Sequence, residues 1–304
     1  MGWSLGANDA ANVFGPAVAV GALRFRTAAL VAFVFAMAGA TAIGSRGFAT
    51  YDALGTQSAV SSLVIMLTAG STVALMTYSG LPVSTTQAVV GAIVGAGLVH
   101  GTAAFAPLPR IALSWILAPL GSMVIAFLAL RVLASSPRAL PSRLLGHSKV
   151  VQVGLLIATC YSSFSLGANN IANVTGVYVS SGLLTPIWAA VIGSGAIGLG
   201  IFTFGRRVID TVGTQLVELN ATAALIVVLA AAVSLNVFAL VGVPVSASQA
   251  VVGGVVGVGL AKGVRTVNVR RLGEIALGWI GTPAVACALS AGGTALASWL
   301  TSCF

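Results

Sequence analysis

Polar residues are sparse along this chain, and they fall in clusters. Long apolar stretches such as Ala29–Ile43 and Ala224–Val241 dominate, and they lack the alternation of a membrane-barrel strand. Grouping them gives five segments in each half. The first five lie near 1–23, 27–45, 57–79, 81–99 and 109–134, and the second five near 148–182, 187–205, 221–242, 244–261 and 273–300. Runs this long and this apolar predict helices, because a backbone in lipid must satisfy its own hydrogen bonds.

The pattern also repeats. "SLGANDAANVFG" (Ser4–Gly15) returns as "SLGANNIANVTG" (Ser165–Gly176). "LPVSTTQAVVGAIVGAGL" (Leu81–Leu98) returns as "VPVSASQAVVGGVVGVGL" (Val243–Leu260), in the same order and at nearly the same offset. Two apolar helices can resemble each other by composition alone, but matched Asn, Ser and Gln point to duplication. An odd number of segments per half inserts the two halves in opposite orientations. The expected fold is an all-α polytopic membrane protein with two inverted repeats of about five segments each. Residues 1–134 and 148–304 are the repeats, 135–147 a cytoplasmic linker, and broken helices or hairpins meet at a midplane site. "VVQVGLLIATCYSSF" (Val150–Phe164) precedes the second GANN, whereas only "MGW" precedes the first GAND, so the first crossing reads as truncated.

Charge supports the inversion. Arg24 and Arg26 flank the first short turn, while its counterpart Thr185–Ile187 is uncharged. The loop after the first hairpin, "HGTAAFAPLP", has only His100; the loop after the second, "KGVRTVNVRR", has Lys262, Arg265, Arg270 and Arg271. With Arg138, Arg143, Arg206 and Arg207, these place the basic loops on the cytoplasmic side, and Arg46 is the one misfit.

Composition narrows the function. The 304 residues are 58% hydrophobic and 6% charged, with mean hydropathy +1.06. A soluble domain carries about a quarter charged residues, so this chain is expected in the cell (plasma) membrane, crossing it several times with lipid as its partner. The net charge of +9 belongs to orientation-setting loops and not to a nucleic-acid surface. Cys160, Cys287 and Cys303 have no disulfide or metal spacing, and His100 and His147 read as solvated loop residues. No paired-carboxylate or Cys/His motif supports an intramembrane enzyme, and no cofactor is expected beyond a co-transported ion.

Chemistry concentrates in the repeated motifs. Ser84-Thr85-Thr86-Gln87 and Ser246-Ala247-Ser248-Gln249 fit the capping-box pattern, with Pro82 and Pro244 discouraging helix upstream. Each therefore reads as a helix start inside the membrane. Unpaired N–H groups and the positive end of the helix dipole bind oxyanions such as phosphate or sulfate there. Among five acidic residues only Asp9 lies in a repeated motif, and an intramembrane carboxylate is a functional candidate by default. Asp9 can ligate Na⁺ with help from Asn8, Asn12 and broken-helix carbonyls, carry a proton, or accept a hydrogen bond from protonated phosphate. Its counterpart is Asn170, which keeps an oxygen but loses the charge, while the Asn8/Asn169 and Asn12/Asn173 pairs are retained.

These motifs resemble the inorganic phosphate transporter (PiT) family. The resemblance rests on Gly6–Asn12 with Gly15, on Gly167–Gly176, and on the two Pro-Val-Ser-x-[Thr/Ser]-Gln hairpins. It implies a secondary active transporter that imports inorganic phosphate with Na⁺ or H⁺; an H⁺-coupled sulfate permease is the alternative. It also implies a possible homodimer. By the family pattern Ser84, Thr85, Thr86, Gln87, Ser246, Ser248, Gln249, Asn169 and Asn170 would hold the anion. Asn8, Asp9, Asn12 and Asn173 would couple the cation, with Asp9 as the Na⁺ ligand. Asn170 stands where Asp is common, and Ala247 replaces a hydroxyl residue.

Overall fold

A computed structural model describes residues 1–55, 57–78, 83–135, 149–212, 219–263 and 269–303. Beyond Ser135 the expected linker lies outside the described residues, as do Arg138, Arg143, His147 and Arg265. The first half contains α1 (Gly2–Val13), α2 (Gly15–Ala19), α3 (Phe25–Ala42), α4 (Phe48–Asp52), α5 (Ala59–Tyr78), α6 (Thr85–His100) and α7 (Leu108–Ser135). The second contains α8 (Lys149–Ser180), α9 (Pro186–Val212), α10 (Ala221–Val241), α11 (Ala247–Lys262) and α12 (Val269–Ser302). Seven of these, α3, α5, α7, α8, α9, α10 and α12, are long and apolar enough to cross a membrane. The chain is a multi-pass membrane protein.

α6 and α11 have 16 residues each. At 1.5 Å per residue such a helix spans about 24 Å, short of a ~30 Å hydrocarbon layer. They begin at Thr85 and Ala247, later than the apolar runs from 81 and 244 suggested. Ser84 and Ser246 account for this, since each takes extended backbone as the N-cap and its side chain accepts from the N–H three residues on.

The two GAN motifs differ in a way not anticipated. The first sits where the chain breaks between α1 and α2 at Phe14. The second lies wholly within α8, which runs unbroken for 32 residues, so in that half the break falls only at the hairpin before Ala247. The cause is one residue. Pro16 lacks the N–H that would bond the Asn12 carbonyl, whereas the second copy has Val177 at the matching place.

The halves clasp each other reciprocally. α1 packs on α9 as α8 packs on α3, and α6 packs on α12 as α11 packs on α7. Glycines permit this close approach. A Cβ on Gly6 would stand 1.9 Å from the Ile197 carbonyl oxygen, and one on Gly167 1.8 Å from that of Ala36. Likewise Gly91 meets the Pro283 carbonyl and Gly253 meets the Pro119 carbonyl, each at a mid-helix proline.

Arg46 donates from Nη1 to the Leu240 carbonyl at 2.9 Å, and Thr50 donates to the Gly242 carbonyl at 2.6 Å. Both groups close the C-terminal end of α10, where a positive charge complements the helix dipole. Arg46 therefore has a local structural partner, which accounts for the one basic residue that the loop pattern left over.

Candidate functional site

Every residue expected at the site is buried, none more than 8% exposed. The motifs converge on the tips of α6 and α11. Ser84 is the N-cap of α6 and accepts from the Gln87 N–H at 3.2 Å; Ser246 is the N-cap of α11 and accepts from the Gln249 N–H at 3.3 Å. Among the described residues, the N–H groups of Thr85, Thr86, Ala247 and Ser248 have no acceptor. Both helices thus present open N–H pairs of the kind that bind oxyanions.

Two backbone carbonyls tie the tips together. Val83 accepts from Asn8 Nδ2 at 3.2 Å and from Ser248 Oγ of the opposite half at 3.0 Å. Val245 accepts from Asn169 Nδ2 at 2.7 Å and from Thr86 Oγ1 of the opposite half at 3.0 Å. The Val245 N–H also donates to Asn169 Oδ1 at 3.2 Å. Each tip is held by the asparagine of its own half and clipped by a hydroxyl of the other.

This wiring sets which hydroxyls remain available. Thr86 and Ser248 direct their hydrogens to carbonyls, and Ser246 then donates to Ser248 at 2.9 Å because Ser248 has only one hydrogen. The hydroxyls of Ser84 and Thr85 retain theirs among the described residues.

Asp9 accepts from Asn8 Nδ2 at 2.8 Å through Oδ1, and Asn12 stands beside the same carboxyl. Four buried site atoms have no partner: Asp9 Oδ2, Gln87 Oε1, Gln249 Oε1 and Asn170 Nδ2. Buried polar groups are normally paired, and an orphan carries a penalty of about 1–3 kcal/mol. Four orphans around one pair of helix tips mark a place built for a guest.

Two further contacts were not legible beforehand. Thr77 donates to Asn8 Oδ1 at 3.2 Å. Tyr51, fully buried in α4, donates its hydroxyl to Asn173 Oδ1. Asn173 in turn donates to Thr86 at 2.9 Å and to Asn170 at 2.5 Å. Tyr51 is therefore a positioning residue for the α6 tip. Tyr51→Phe leaves Asn173 Oδ1 without its donor, at a penalty of about 1–3 kcal/mol. Oxyanion affinity should fall about tenfold, with folded yield retained; an unchanged affinity would reduce Tyr51 to packing. Among the described residues no cluster of three His, Cys, Asp or Glu could hold a metal, and the three cysteines are free.

Residues 5–145 and 145–290 each match the sequence profile of the phosphate transporter family. The chain belongs to that family. Phosphate transport follows from the membership. The double match also agrees with the internal duplication. Curated relatives that carry the provisional name phosphate permease include a protein of Thermococcus kodakarensis, 28% identical over 96% of this chain and 93% of its own length. Another, from Methanocaldococcus jannaschii, is 29% identical over 93% of this chain and 89% of its own. A third, from Chlamydia trachomatis, is 28% identical over 95% and 93%. A solved structure named the sodium-dependent phosphate transporter superposes with TM-score 0.87 at 25% identity, covering 98% of this chain and 96% of that one.

Proposed function

We propose that this protein imports inorganic phosphate across the cell membrane, driven by Na⁺, by alternating exposure of a site between the tips of α6 and α11. The carrying observation is the pair of open helix starts clipped to each other through the Val83 and Val245 carbonyls. Phosphate is held by the N–H groups of Thr85, Thr86, Ala247 and Ser248 and by the hydroxyls of Ser84 and Thr85. No Lys or Arg stands in either motif, so the hold is moderate and reversible, as release requires.

Na⁺ sits at Asp9 and offsets the charge of the anion. Three of the four orphaned side-chain atoms are oxygens, the ligand type a hard cation requires. The name of the similar sodium-dependent structure supports the same ion. The basic loops and the reciprocal packing support inverted repeats, which place one copy of each motif on either side of a midplane site.

Purified protein in liposomes should accumulate labelled phosphate under an inward Na⁺ gradient and far less under a pH gradient. Excess sulfate should compete weakly, because sulfate at neutral pH has no proton to offer to Asp9 or the glutamine oxygens. Accumulation under a pH gradient alone would reassign the coupling ion, and flux indifferent to both gradients would make the protein a channel.

A further inference from the structure

Equivalent positions in the two GAN motifs offer opposite chemistry, and the hydrogen-bond network settles which. A backbone carbonyl only accepts, so Thr86 Oγ1 gives its single hydrogen to Val245, 3.0 Å away. The Thr86 oxygen can then only accept from Asn173, so the Asn173 atom 2.9 Å from it is Nδ2. That same Nδ2 lies 2.5 Å from Asn170, which must present an acceptor there, namely Oδ1. Asn169 Nδ2 donates to the same Oδ1 at 3.3 Å. The other end of the Asn170 amide is therefore Nδ2, a donor, 0% exposed as a residue and without an acceptor. At the matching position Asp9, 1% exposed, presents the unpartnered oxygen Oδ2.

A second difference points the same way. Pro16 leaves the Asn12 carbonyl without a helical N–H, while α8 continues past Asn173 unbroken. The first half thus offers a carboxylate oxygen and a released carbonyl. The second offers an N–H and no released carbonyl at the matching place. A cation requires oxygen lone pairs and is repelled by the positive hydrogen of an amide, whereas an anion is attracted to it.

We propose that the protein carries one cation per phosphate, held on the Asp9 side alone, and that Asn170 Nδ2 is a phosphate-binding donor at the position equivalent to the cation site. This rests on the Na⁺-symport reading above and fixes its stoichiometry.

The test is a dual-label flux measurement in proteoliposomes, with radiosodium and radiophosphate counted in the same vesicles. Wild-type protein should move sodium and phosphate in a ratio of one. Asn170→Asp keeps the Oδ1 acceptor for Asn169 and Asn173 and replaces the N–H by a second oxygen. It should raise the flux ratio towards two and raise phosphate KM at limiting Na⁺ by about tenfold, the loss of one donor to a charged acceptor. A wild-type ratio of two would overturn this proposal and leave Na⁺ symport standing. Phosphate accumulation without sodium entry would overturn both. An Asn170→Asp protein with unchanged ratio and KM would show that Asn170 only supports its neighbours, against the proposal.

Discussion

Asp9→Asn should all but abolish Na⁺-driven phosphate accumulation while leaving the protein folded. The substitution keeps the shape of the side chain and the Oδ1 acceptor for Asn8, removes the charge, and puts an N–H donor in place of the unpartnered Oδ2. Breaking a buried charge pairing by removing one partner costs roughly 3–5 kcal/mol. At about 1.4 kcal/mol per tenfold, apparent Na⁺ affinity should fall at least about 100-fold. Empty, this carboxylate is an uncompensated buried group with an unpartnered oxygen. Removing its charge should therefore stabilise the Na⁺-free protein slightly, even as it disables transport. Thermal unfolding with and without Na⁺ separates these effects: the wild type should gain stability from Na⁺ and the variant should not. A variant that still accumulates phosphate against its gradient with normal Na⁺ dependence would remove Asp9 from the mechanism.

Asn169→Ala should cripple the protein in a different way. Its amide pins both the N–H and the carbonyl of Val245, at 3.2 and 2.7 Å, just ahead of the Ser246 cap. Truncation leaves the Val245 N–H buried without an acceptor, a penalty of about 1–3 kcal/mol beyond the bonds lost. It also frees the α11 tip to drift from the α6 tip. Phosphate KM should rise by more than about tenfold, together with a lowered unfolding temperature. Asn236→Ala is the matched control. Asn236 is an asparagine of α10 whose side chain makes one long bond, 3.5 Å to Ser165, so its loss should leave both quantities near wild type. Equal effects from the two substitutions would mean that the tip is held by packing alone.

Much of this architecture could be read from the chain because lipid makes the pattern strict. All ten apolar segments correspond to helices, and the motif residues from Asn8 to Gln249 are buried together. The capping boxes were legible because Ser and Gln announce themselves chemically at fixed spacing. Other parts left no such trace. Val83 and Val245 act through their carbonyls, and a carbonyl has no sequence signature. Tyr51 lies in α4, between the apolar runs and far from either motif, and only the fold brings it to Asn173. The contrast between α1 and α8 came from a single proline, whose effect was obscured by the likeness of the surrounding motifs. The hydroxyls of Thr86 and Ser248 were expected at the anion, yet in this conformation each donates to a carbonyl of the opposite half, and Ser246 bonds Ser248 beside it.

The central claim is that a dehydrated phosphate rests between the first turns of α6 and α11. Arsenate matches phosphate in shape and charge and scatters anomalously, so crystals grown with arsenate and Na⁺ locate the anion directly. The expected arsenic peak lies within hydrogen-bond reach of the Thr85 and Ser248 N–H groups, with Asn170 Nδ2 facing it. A peak elsewhere in the protein, with the two helix tips still clipped together and empty, would contradict the account.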